Sequence, residues 1–228
     1  MAEPAIDQTS ERRRRINALI VWLVLASVLG FLAFSLNSSR DSTDDLLYQY
    51  SVFTNALIFF GFLILAAYGI GRLYSKKPLS TFGFKRPAGP MLWPTLGVVV
   101  LAIVVGVGLE PFLHAGEEQG LTPDAWDSSR ALPFLLNALV VVAIGPFAEE
   151  LFFRGLGVQV LGTFGVPLAL VGTAVFFGLA HGILVALPTL VVFGIGLAWL
   201  RIRYRSIFPA IGAHALYNAI GLGLAFAV

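Results

Sequence analysis

The chain has 228 residues, 57% of them hydrophobic and 12% charged, with a formal net charge of +2. A soluble globular domain carries about 25% charged residues. A mean hydropathy of +0.85 is more apolar surface than a core of this size can hide from water, so a soluble domain is excluded and the solvent is lipid. Cysteine is absent, which excludes disulfides, a thiolate nucleophile and cysteine-bound zinc.

Residues 1-15 read as a basic, cytoplasmic N-terminal tail ending in Arg12, Arg13, Arg14 and Arg15. The apolar run from Ile16 to Leu36 is about 21 residues, longer than the roughly 7–15 of a secretory signal. It is therefore expected to be a retained first span, and Ala33-Phe34-Ser35 is not read as a cleavage site. Residues 16-130 hold three spans, the second from Val52 to Tyr74 and the third from Met91 to Leu113. Residues 131-228 hold four more: Ala131 to Leu161, Leu168 to Gly182, Leu184 to Leu200, and Phe208 to Val228. Gly162-Thr163-Phe164-Gly165-Val166-Pro167 is a turn, since paired glycines and a proline break a helix. The fold class expected is all-α, a polytopic membrane helical bundle of about seven transmembrane helices, with eight as the alternative count.

The loops alternate in charge. Arg12–Arg15, then Lys76, Lys77, Lys85 and Arg86, then Arg201, Arg203 and Arg205 are basic. Asp41, Asp44 and Asp45, then Glu117, Glu118, Asp124 and Asp127 are acidic. The positive-inside rule places the N-terminus in the cytoplasm and the acidic loops outside. It also accounts for the pI near 9.1, so the bilayer is the expected partner and nucleic acid is not. Trp22, Trp93 and Trp199 lie near span ends and are expected at the interface. Arg72 is expected to snorkel from the second span. Asn55 and Asn137 are expected to bond between helices, and Gly106, Gly108, Gly194 and Gly196 to be close-packing positions.

From Ala131 onward the acidic residues are Glu149 and Glu150, and the histidines are His181 and His214. An ionisable group at mid-span costs at least about 2.5–3.5 kcal/mol and is a functional site by default. At about 1.5 Å rise per residue, Glu149 and His181 each sit roughly 18–20 Å from the cytoplasmic ends of their helices. His214 and Asn218 lie roughly 9–15 Å along the last span by the same rise. Four residues apart, Glu150 and Arg154 can pair. Glu149 has Phe153 at that spacing instead, so the chemical role falls to Glu149 and the supporting role to Glu150 with Arg154. The bland alternatives are interface pairing for the glutamates, core hydrogen bonds for the histidines and interhelical packing for Asn218.

Glu149-Glu150-Leu151-Phe152-Phe153-Arg154-Gly155 fits EExxxR, Phe177 to His181 fits FxxxH, and His214 to Asn218 fits HxxxN. In this order, on consecutive apolar segments, the motifs resemble the CPBP intramembrane protease family, which includes type II CAAX prenyl endopeptidases and bacterial homologues linked to bacteriocin immunity. The resemblance covers about Leu132 to Leu222. It implies a helical membrane peptidase in which Glu149 activates water and His181, His214 and Asn218 complete the site, acting on a membrane-associated peptide or protein. The substrate suggested is a prenylated C-terminus; the location suggested is the plasma membrane of a bacterium.

Two chemistries use these residues. In one, Glu149 is general base and then general acid, with imidazole and the Asn218 amide stabilising the oxyanion. In the other, Glu149, His181 and His214 ligate zinc, with water in the fourth position. The helical HExxH arrangement is missing, and asparagine is a poor zinc ligand but a good donor. The sequence leaves both open, with a lean to the metal-free form. The rival functions are a proton-coupled transporter using Glu149, His181 and His214 as a relay, and a non-catalytic immunity or scaffold protein.

Overall fold

Apolar runs in lipid must satisfy their own backbone, and they do so here as helices. The computed structural model describes residues 5–38, 45–115 and 126–224. Its helices are α1 (Ala5–Ser38), α2 (Tyr50–Tyr74), a short α3 (Pro78–Thr81), α4 (Leu92–Leu113), α5 (Ser128–Gly162), α6 (Val166–Leu179), α7 (Leu187–Tyr204) and α8 (Phe208–Leu224). Leaving out α3, the seven long helices match the seven expected spans one to one. Five are long and apolar enough to cross a membrane: α1, α2, α4, α5 and α7. The 14 residues of α6 fall short of the roughly 20 of a full span; α8 is described for 17 residues, as far as Leu224. The protein is a helical membrane bundle.

Pro78, Pro167 and Pro188 each stand in the first turn of a helix, where a missing N–H removes no intrahelical bond. Large apolar side chains face outward, with Phe31, Leu65 and Phe112 all at least 70% exposed, as expected where the outer solvent is lipid. Gly194 and Gly196 are close-packing positions as expected: a Cβ at Gly194 would stand 2.9 Å from the Ala174 backbone, and one at Gly196 2.6 Å from Val98. Gly108 is not one, because a Cβ there would meet nothing within 4 Å.

The basic segments gather at one end. Arg14 donates to the carbonyls of Arg72 and Leu73, closing the last turn of α2. Ser206 donates to Lys85 O at 2.6 Å, and Ile207 N–H to Gly83 O at 3.0 Å, docking the segment after α3 on the α7–α8 turn. Arg201 is not a loop charge as expected; it is 5% exposed and donates to Thr81 O at 3.0 Å. At the opposite end Arg130 pairs with Asp45 and Asp127, each at 2.6 Å. Asn137 there donates to the carbonyls of Leu47, Gln49 and Pro133, the interhelical role expected of it. Asn55 is exposed. Asp41, Asp44, Glu117, Glu118 and Asp124 lie outside the described residues.

Candidate active site

The site is built on α5, which opens with a 3-10 turn at Ser128–Arg130 and is then α-helical except for two wide π turns, Val140–Ile144 and Leu151–Gly157. Pro146 has no N–H, and its ring crowds the carbonyl four residues back. The turn before it widens, so that Gly145 N–H reaches Val140 O, five residues back. Glu149 and Glu150 end the short α segment between the two π turns. Single π turns inside α-helices occur frequently at functional sites.

Glu150 and Arg154 are both fully buried and joined at 2.9 Å. The second arm of Arg154 donates to Gly194 O on α7 at 3.1 Å, and its guanidinium lies 4.2 Å from the centre of the Phe177 ring. Glu150 Oε1 also meets His214 Nδ1 at 3.0 Å. His214 is 3% exposed, and its Nε2 lies 3.8 Å from Glu149 Oε2. That separation is too long for a hydrogen bond. Glu149 is the more open member of the pair, its side chain 18% exposed, although its Oε2 is itself buried and has no hydrogen-bond partner. Glu150 Oε2 and Arg154 Nε are also unpartnered.

His181 differs from expectation. It does not lie on the helix of the fifth span but in the turn after α6, which ends at Leu179. The cause is Gly182, whose φ of 71° is the left-handed conformation that closes helices. A Cβ at Gly182 would collide with the Ala33 backbone of α1. The ring stays one turn above its motif partner, with His181 Nδ1 2.8 Å from Phe177 O. The Phe177 ring centre lies 4.7 Å from that of His181 and 5.5 Å from that of His214, so the two imidazoles flank one phenyl ring.

These contacts fix the tautomers. A carbonyl accepts and cannot donate, so His181 Nδ1 carries its proton. A carboxylate paired with Arg154 also accepts, so His214 Nδ1 carries its proton too. Both Nε2 atoms are then lone-pair acceptors in the neutral rings. Asn218 Nδ2 donates to Val141 O at 2.8 Å, tying α8 to the first π turn, and keeps a second hydrogen for another acceptor.

For zinc, the donor chemistry fits: two Nε2 lone pairs and a carboxylate, with each Nδ1–H held by an oxygen as ligating histidines usually are. The spacing does not. Among the described residues no three His, Asp or Glu side chains are gathered into a group that could hold a metal ion, so Glu149, His181 and His214 do not form a ligand set as they stand.

Trp22 is a contributor that the sequence reading misplaced. It is not at an interface: it is 0% exposed, and its indole N–H donates to Phe152 O at 3.1 Å. Trp93, at 78%, and Trp199, at 41%, are exposed as expected of interfacial rings. Gly194 O, the second acceptor for Arg154, carries no side-chain signal that sequence could show.

Compared with known proteins, residues 131–220 match the family described as type II CAAX prenyl endopeptidase Rce1-like. No curated protein and no solved structure matches the chain.

Proposed function

We propose, from the match of residues 131–220 to the Rce1-like type II CAAX prenyl endopeptidase family, that the chain is an intramembrane endopeptidase using glutamate-activated water. The family points to a protease. The observation that carries the glutamate reading is the division of labour between adjacent carboxylates. Glu150 Oε1 is engaged by both Arg154 and His214, while the Glu149 side chain is 18% exposed against 0% for Glu150.

Glu149 takes a proton from a water that His181 Nε2 orients as acceptor. The water oxygen attacks the scissile carbonyl carbon and forms its new C–O bond. The second amide hydrogen of Asn218 donates to the oxyanion. Collapse breaks the C–N bond, and Glu149 returns its proton to the leaving amine. His214, held through Nδ1 by Glu150, faces Glu149 with its Nε2 lone pair, which accepts from the Glu149 carboxyl while that group holds the proton taken from water. Arg154 neutralises Glu150 throughout.

The substrate proposed is a membrane-associated peptide, with a prenylated CAAX-type end as the first to test. The N-terminus is proposed to be cytoplasmic, in the plasma membrane of a bacterium. The test is cleavage of a farnesylated CAAX-ended peptide by protein reconstituted in vesicles, with Glu149→Gln as the blank. Equal cleavage by both would contradict the proposal.

A further inference from the structure

We propose that Trp22, on a helix outside the family-matched segment, is a positioning residue of the hydrolytic site; this rests on the proteolytic reading. Phe152, whose carbonyl it holds, stands two residues after Glu150 and two before Arg154, inside the second π turn. The indole N–H gives that carbonyl a donor from outside α5, pinning the turn to α1 in a membrane interior that offers no water in its place.

The ring is wedged as well as bonded. Trp22 stacks on Phe152 at 5.8 Å and meets Phe153 edge-on at 6.4 Å. On α6 it meets Phe176 edge-on at 5.4 Å, next to the Phe177 that separates the two imidazoles. A Cβ at Gly157, the last residue of the π turn, would stand 2.7 Å from the indole. Trp22 therefore touches the turn at its start and at its end. Ala18 and Ala26, one helical turn to either side, are both fully buried. These small residues bring α1 close enough for the indole to reach α5. One side chain thus braces both the helix that carries Glu149, Glu150 and Arg154 and the helix that carries Phe177, the ring between the two imidazoles. The N-terminal region is part of the site's frame rather than an anchor appended to it.

The test separates the N–H from the ring. β-(3-Benzothienyl)alanine at position 22 keeps the bicyclic shape and replaces the N–H with sulfur. With the farnesylated CAAX-ended peptide as probe, kcat should fall between about tenfold and 100-fold, the scale of a misplacement of up to about 1 Å. KM should stay at the wild-type value, and the thermal midpoint should fall by no more than the loss of one buried hydrogen bond explains. Trp22→Phe should lose at least as much kcat, and the exposed Trp199→Phe should lose none. NMR of ring-labelled histidine gives a readout independent of turnover: the His214 signals should move in the benzothienyl protein. Wild-type kcat in that protein overturns the proposal. If the wild type cleaves no peptide, the proteolytic reading fails on its own, and unmoved His214 signals overturn the positioning role.

Discussion

His214 Nδ1 lies 3.0 Å from Glu150 Oε1, a contact that spans 64 residues of chain and joins the last helix to the acidic pair. It gives Glu150 two partners rather than the single Arg154 partner expected from helical spacing. Glu150 neutralises a buried cation and also fixes which nitrogen of His214 faces Glu149.

The buried pair should be intolerant of losing one member. Arg154→Ala leaves the Glu150 carboxylate without its cation, a change worth about 3–5 kcal/mol where such pairs are broken. Folded yield in membranes should drop sharply, and Arg154→Ala with Glu150→Gln should recover part of it. Size-exclusion recovery in detergent checks this; a single variant as abundant as wild type would mean the pair is unimportant.

Asn218 braces the first π turn through Val141 O. Asn218→Leu should lower stability by about 0.6 kcal/mol and at most about 1.7, the range of interhelical hydrogen bonds in a membrane bundle. Turnover should fall much further than that loss explains, because the oxyanion donor is also gone. Thermal melts beside single-turnover rates separate the two; equal losses would reduce Asn218 to a brace.

The end of the molecule away from the basic segments has its own acid sensitivity. The Ser129 hydroxyl, then Arg130, hold the Asp127 carboxyl down to about 2 from its ordinary 3.8. A depressed carboxylate stabilises the fold above its ordinary pKa and stops doing so as pH falls through its folded value. The Arg130 contact should therefore persist at pH 4 and be lost progressively towards pH 2. Trp126, whose ring centre lies 6.5 Å from that of Tyr48, reports this by fluorescence. A transition centred near pH 4 would show that the contact is absent in membranes.

The metal question has a direct check. With no three-ligand group assembled among the described residues, purified protein should hold well under one zinc per chain and keep its activity through strong chelation. Activity abolished by chelator and restored by zinc would require Glu149, His181 and His214 to close into a ligand set during turnover.

Much of this was legible. The helices followed from apolar runs, and the candidate site residues were singled out by the scarcity of charge after Ala131. The misreadings have local causes. Gly182 ends α6 before His181 because the approach of the Ala33 backbone leaves no room for a Cβ, a tertiary contact that hydropathy does not encode. Trp22 looked interfacial because it lies near a span end, yet its acceptor lies 130 residues away. Arg201 looked like an orienting charge, and its acceptor, Thr81 O, is likewise distant in sequence. The π turns leave no periodic signature; only Pro146 hinted at the first.

The most direct test of the central claim is the cleavage rate of the farnesylated CAAX-ended peptide in reconstituted vesicles, wild type against Glu149→Gln, with folding of both checked by thermal melts. The account predicts a Glu149→Gln protein that folds like the wild type and cleaves at least about 10²-fold more slowly, the lower range for loss of a general base. A folded Glu149→Gln protein that cleaves at the wild-type rate would contradict it.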